Sequence, residues 1–238
     1  MSVAVIPARG GSKRIPRKNI KTFSGVPMIA YAIKAAKQSG LFEHIVVSTD
    51  DVEIADVAKK FGAEVPFFRP TELANDLATT VPVIAHAIQE CENLRWNTDF
   101  VCCIYPCVPF LSGADLVSGR NSIEKVTEGY CYPITEFPSP IQRALRLSVN
   151  GRLQPVQPEH EWTRTQDLEP FYHDAGQFYW GRRQSWLTGL GLQSHGHGVI
   201  VPQWRVVDID TPDDWRRAEL MFTSRDEADG GCRKPLVP

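Results

Sequence analysis

Val3-Ala4-Val5-Ile6-Pro7-Ala8-Arg9-Gly10-Gly11-Ser12-Lys13-Arg14-Ile15-Pro16-Arg17-Lys18-Asn19 runs from four apolar residues into a dense basic segment. A continuous apolar run of that length, stopped by proline, reads as a strand buried on both faces. Ile45-Val46-Val47 and Phe100 to Tyr105 repeat the pattern, and Val65 to Phe68 reads as a shorter strand. Helical segments alternate with them. Pro27 to Ser39 places proline in the first turn and Gly40 just past the end, with Ile29, Ala32, Ile33 and Ala36 on one face. Asp51 to Phe61 is closed by Gly62, and Val81 to Cys91 follows. Strand, helix and strand at this spacing predict parallel crossovers, hence a Rossmann-like, doubly wound α/β sheet that is mostly parallel. Ligands bind such sheets at the carboxyl ends of the strands. The loops after Ile6, Val47 and Tyr105 are therefore the places to look.

The 238 residues carry 26 Lys and Arg against 28 Asp and Glu, a net charge of −2, with 42% apolar and 23% charged residues. This composition excludes disordered, collagen-like and coiled-coil chains. No apolar stretch approaches the ~18 residues of a membrane span. Met1 to Arg9 has its apolar run before its charge, the reverse of a secretory signal, so a cytoplasmic protein is expected. Cys91, Cys102, Cys103, Cys107, Cys131 and Cys232 form no C-x-x-C pair and mostly lie in apolar runs. They read as buried reduced thiols.

From Arg9 to Lys21 there are six cations (Arg9, Lys13, Arg14, Arg17, Lys18, Lys21) and no acid. Paired glycines let backbone N–H groups approach an anion, and the cations add charge-assisted bonds. A polyphosphate is the natural guest. The spacing is neither a P-loop nor a G-x-G-x-x-G fingerprint. Near the other end of the chain, Val206 to Asp210 alternates like a strand end, which would project Asp208 and Asp210 from one face, ~6.6 Å apart. Two such carboxylates suit Mg²⁺ shared with substrate phosphates. Thr211, Pro212, Asp213 and Asp214 read instead as the cap and first turn of a helix reaching about Met221. The rhythm changes beyond residue 130. Thr135 to Glu169 is Pro-rich and polar, consistent with an arm inserted at about 135–176 into a single domain spanning 1–222. Gln177 to Trp180 and Val199 to Val201 return to strand character, and 223–238 reads as a tail.

Ile6 to Lys13 and Ile15 to Ile20, continued by Ser48-Thr49-Asp50-Asp51, Arg69-Pro70, Glu72-Leu73-Ala74 and Val207 to Thr211, resemble the nonulosonic acid cytidylyltransferases, the CMP-sialic acid synthetase family. The likeness covers residues 3 to about 222. Arg14, Tyr105-Pro106 and Gln177 to Trp180 look most like the branch acting on pseudaminic acid. The resemblance implies a nucleotide-diphospho-sugar transferase-like fold with an inserted dimerisation arm, a homodimer, and transfer of CMP from CTP to a nine-carbon keto-sugar acid with Mg²⁺. It implies that Ala8, Arg9, Gly10, Gly11, Ser12, Lys13, Lys18 and Asn19 hold the nucleotide. Arg69, Thr79 and Thr80 would lie near the cytosine or ribose. Asp208 and Asp210 would hold the metal and, with Arg9 and Lys13, form the catalytic set.

Sialate enzymes tend to carry Gln-Pro-Thr-Ser-Pro-Leu-Arg where this chain has Tyr105 to Leu111, losing an amide and a guanidinium. That favours a more deoxygenated, less polar sugar, because a pocket built for one set of polar groups rejects another. Tyr105 reads equally as a strand-end ring packing on the core. His173 and Gln177 are the further candidates for holding the sugar, while Trp162, Trp180 and Trp186 read as packing. Alternative acceptors are legionaminic, sialic and 3-deoxy-manno-octulosonic acids. The rival from another class is a non-catalytic polyanion- or nucleic-acid-binding module, for which Asp208 and Asp210 would have no use.

Overall fold

The computed structural model describes residues 2–228. In chain order it contains β1 (Ser2–Pro7), β2 (Thr22–Phe23), β3 (Val26–Pro27), α1 (Ile29–Ser39), β4 (His44–Ser48), α2 (Val52–Lys60), α3 (Thr80–Asn93), β5 (Phe100–Ile104), α4 (Gly113–Ile123) and β6 (Tyr130–Glu136). There follow β7 (Leu145–Leu147), β8 (Leu153–Pro155), β9 (Tyr172–Asp174), β10 (Phe178–Arg182), α5 (Arg183–Leu187), β11 (Gly196–Ile200) and α6 (Pro212–Ala228). Seven strands make one sheet in the order β11-β6-β10-β5-β1-β4, with β9 also paired to β6. β1 runs parallel to both β4 and β5, and β11 parallel to β6, while β10 and β9 run against their neighbours. Five of the seven therefore point one way, the mostly parallel sheet that the apolar runs predict.

Helices cover both faces. Ile6, Ile29, Ile33, Ile54, Leu116 and Trp180 belong to one buried layer, and Val5, Ile84, Ile88, Tyr130 and Trp186 to the other. Trp180 and Trp186 are packing residues, each anchored by its indole N–H to a backbone carbonyl, of Leu116 (3.0 Å) and Val101 (3.3 Å). Trp162 is not: it is 89% exposed. A third cluster seats α6 through Trp215 and Ala218 against Phe23, Tyr31 and Phe110.

Several boundaries differ from the sequence reading, each for a local reason. α1 begins at Ile29 rather than Pro27, because Ser24 and Gly25, both at positive φ (45° and 93°), turn β2 back on β3 in a hairpin that uses Pro27. Val65 to Phe68 forms no strand: a single bridge joins Glu64 to Val46, Pro66 has no N–H to extend it, and the chain bends at Phe67. Val206 to Asp210 is not a strand end. A 3₁₀ turn at Gln203–Arg205 leads into irregular chain, and the period-two argument for Asp208 and Asp210 does not apply. The Thr211 cap is as expected: its hydroxyl accepts from the Asp214 N–H (3.2 Å), and the Asp214 carboxylate accepts from the Thr211 N–H (2.9 Å). α6 continues to Ala228, through the first residues read as tail; the rest of that tail, with Cys232, lies outside the described residues. Cys91, Cys102, Cys103 and Cys131 are free and buried. The stretch read as an arm, between β6 and β9, contains the β7–β8 hairpin and 3₁₀ turns.

Candidate active site

The basic loop leaves β1 and folds back on itself: the Ser12 N–H reaches the Gly10 carbonyl (3.0 Å), and the buried Asn19 donates from Nδ2 to the Arg9 carbonyl (2.9 Å). Asn19 also accepts the Ile29 N–H through its own carbonyl (2.8 Å), so one residue ties the loop to the start of α1. Gly10 donates to Asp50 (2.9 Å) and lies so close to Asp51 that a Cβ would stand 2.7 Å from its Oδ2. No larger residue fits there. At Gly11 the space is open, and an anion can approach the backbone. Arg17, at φ 56°, does not face the cleft; it clasps Asp51 and Glu53 at the start of α2. That bond, ahead of the Ile54 N–H and despite partial burial, holds the Asp51 carboxyl below its ordinary value.

Arg9, Ser12, Lys13, Arg14, Lys18, Asn19 and Asp210 converge on a cavity of about 230 Å³ beside Pro106. Its cations have internal partners. Arg9 reaches both the Asn75 carbonyl and the Asp76 carboxylate (2.8 Å each), and Lys13 pairs with the same carboxylate. Arg14 pairs with Asp210 (2.9 Å), and Lys18 bonds the Ile209 carbonyl (2.8 Å) and Asp210 (3.3 Å). Asp208 reaches solvent, yet crowding by surrounding protein pushes its carboxyl above the ordinary value, and the neighbouring Asp210 adds to this. Asp210 lines the cavity and Asp208, two residues before it, does not. The hard carboxylate oxygen of Asp210 beside a cation-lined cavity suits a divalent cation, with Asp208 the nearest further carboxylate along the chain. Among the described residues no group of three or more His, Cys, Asp or Glu side chains gathers to hold a metal, so the other ligands would be phosphate and water.

Arg69, expected near the base or ribose, is buried, with Nε on Ser48 Oγ (3.1 Å) and a second bond to the Ser48 carbonyl. Burial pushes its guanidinium down to about 10, still charged at neutral pH. Thr79, Thr80 and Tyr105 line a second cavity of about 730 Å³, where Thr80 Oγ1 and the Tyr105 hydroxyl share a hydrogen bond (2.7 Å). Gln177 spends its amide N–H on the Arg205 carbonyl (2.8 Å), and Tyr105 N–H bonds the Gln177 carbonyl (2.9 Å). His173 packs on Phe137 with Nδ1 beside the Asp174 carbonyl (2.9 Å). Neither of these two side chains lines either cavity. Sequence reasoning missed Asp76 and the Gly189–Ser194 segment, and it ranked His173 and Gln177 above Asp174, which lies between them in the chain. The Asp174-Ala175-Gly176 turn was a usable signal for that choice; nothing in the composition marked Asp76.

A family model described as cytidylyltransferase matches residues 3–187. This chain belongs to the cytidylyltransferase family. It is 39% identical to the pseudaminic acid cytidylyltransferase of Campylobacter jejuni, over 95% of this chain and 98% of that one. It is 32% identical to the CMP-N,N'-diacetyllegionaminic acid synthase of Legionella pneumophila, over the same shares. Among solved structures, a CMP:2-keto-3-deoxy-manno-octonic acid synthetase complexed with CTP superposes with a TM-score of 0.68 at 16% identity, covering 94% of this chain and 99% of that one. The last likeness is one of fold. The cytidylyltransferase is thus a CTP-using nucleotidyltransferase built on a mixed, mostly parallel sheet, and among its described residues no helix is long and apolar enough to cross a membrane.

Proposed function

We propose that this cytidylyltransferase transfers CMP from CTP to the anomeric hydroxyl of pseudaminic acid. The observation that carries the reading is the 39% identity, over nearly the whole of both chains, with the Campylobacter enzyme. The cavity geometry supports the chemistry. The sugar oxygen bonds to the α-phosphorus, the bond to pyrophosphate breaks, and the hydroxyl proton is released; catalysis is then mostly positioning and charge neutralisation. Arg9 and Lys13 exchange Asp76 for the β- and γ-phosphates, and Lys18 faces the α-phosphate. The backbone from Ala8 to Ser12 turns around them, open at Gly11, and Asn19 holds its shape. Arg69 acts from behind, fixing the end of β4, while Thr79 and Thr80 border the nucleoside and Tyr105 the sugar. His173 and Gln177 support the sugar wall through Asp174 and Tyr105. Asp208 and Asp210 hold Mg²⁺, which when bound offsets triphosphate charge. The working form is a cytoplasmic homodimer. Asp210 in the cation-lined cavity speaks against a pure polyanion or nucleic-acid binder.

The test is pyrophosphate release with CTP across pseudaminic, legionaminic, sialic and 3-deoxy-manno-octulosonic acids, with and without chelator. The expected result is turnover of pseudaminic acid at least tenfold above the rest, lost on chelation and restored by Mg²⁺. Preference for another acid would overturn the acceptor, and undiminished release under chelation would overturn the metal.

A further inference from the structure

The two cavities flank the end of β5, one bordered by Pro106 and the other by Tyr105, and their walls carry opposite chemistry. The smaller has four cations. The larger, among the described residues, has no cation and one carboxylate, Asp174. Asp174 is fixed on both sides: Oδ1 accepts the Gly176 N–H (2.7 Å) and Oδ2 the Tyr179 hydroxyl (2.8 Å). Tyr179 leans on Tyr105 (ring centroids 5.3 Å), which bonds Thr80, so a line of hydroxyls ends at the carboxylate. Burial holds the Tyr179 phenol far above its ordinary value, and the line stays protonated. Each carboxylate oxygen keeps a lone pair beyond those bonds. Val81, Leu190 and Leu192 supply apolar wall around the same space.

An acceptor that is itself a carboxylic acid meets this pair of cavities with one orientation favoured. Its carboxylate and anomeric carbon belong with the cations, and its uncharged remainder belongs in the larger cavity, since a like charge is repelled by Asp174. An acylamido group satisfies both halves of that wall at once, with an N–H for the carboxylate and a methyl for the leucines. A hydroxyl satisfies one. We infer that Asp174, with the Leu190–Leu192 wall, is the specificity-determining element that reads an acylamido group on the acceptor. The inference rests on the acceptor chemistry proposed above, and extends it to a residue.

The test compares the wild type with Asp174→Ala and Tyr179→Phe, measuring KM for each substrate and the preference for pseudaminic over 3-deoxy-manno-octulosonic acid. Asp174→Ala is expected to raise acceptor KM tenfold or more, leave CTP KM unchanged and shrink the preference. Tyr179→Phe keeps the carboxylate and should do so by a few-fold only, which gives a reading if the alanine variant does not fold. A purely structural Asp174 would move both KM values together or neither, and either result overturns the inference. Wild-type turnover of the octulosonic acid alone, which has no amide, would overturn it as well. Turnover of legionaminic or sialic acid instead of pseudaminic acid would sink only the acceptor named above, and the same variants then test the inference on that acid.

Discussion

Asp51 caps α2 by accepting the Ile54 N–H (3.0 Å) and also receives Arg17 from the basic loop. The start of this helix is legible in the sequence, which places it at Asp51; the Arg17 bond is not, because it joins residues 34 apart. Replacing Asp51 by alanine removes both. Loss of an N-cap costs about 1 kcal/mol, which for a chain of this size lowers the melting temperature by about 2–4 °C. The pH dependence follows from the direction of the shift. The folded carboxyl titrates below its ordinary 3.8, so its contribution is complete above that pH and drains away as pH falls through the lower, folded-state value. Thermal melts should therefore show a full gap between wild type and Asp51→Ala at pH 7 that narrows below about pH 4. Equal melting at pH 7, or a gap that widens in acid, would show that the loop is pinned by something else. Lys13, Arg14 and Lys18 illustrate the same limit. Their chemistry is plain in the sequence, whereas the carboxylates that meet them come from Asp76 and Asp210, far along the chain.

Elements whose pattern is local were legible: β1, β4, β5 and the helices between them depend on apolar runs, caps and glycine stops. Those that depend on distant partners were not. β6 contains Pro133, and nothing in its composition foretells that β9, β10 and β11 all pair with it. α4 hides behind a Ser112–Asp115 capping box without a strong apolar stripe. The segment from Thr71 to Thr79 carries Asp76 onto Arg9 and Lys13, the cations that a triphosphate requires. It is held by Asn75, whose Oδ1 accepts the Leu77 and Ala78 N–H groups (2.8 and 2.9 Å). Because Asp76 competes with phosphate, Asp76→Asn should lower CTP KM. The pair is half exposed and screened, so a few-fold change is the expected size. Steady-state kinetics at two salt concentrations would test it, the difference shrinking at high salt. A KM that rises instead would mean that Asp76 aligns the cations for the nucleotide rather than competing with it.

At the scale of the whole molecule, one surface is unlike the rest. The β7–β8 hairpin pairs only with itself, with Leu145, Leu147, Leu153 and Val156 all more than half exposed, and Trp162, later in the same segment, is 89% exposed. The Pro-rich, aperiodic sequence of 135–176 reads as an insertion, but apolar residues without period do not reveal that they face water. Exposed apolar residues gathered on one short hairpin are the signature of a protein contact. A second copy of the chain fits the proposed homodimer. Light scattering should then give twice the 26.7 kDa chain mass. Leu147→Glu combined with Trp162→Glu should shift the protein to monomer at micromolar concentration, since burying two unpaired carboxylates in an interface is costly. Both side chains are exposed in the single chain, so its own melting should hardly move. That contrast carries the test. A variant that stays dimeric places the interface elsewhere, and one that is monomeric yet fully active shows that each subunit completes its own site.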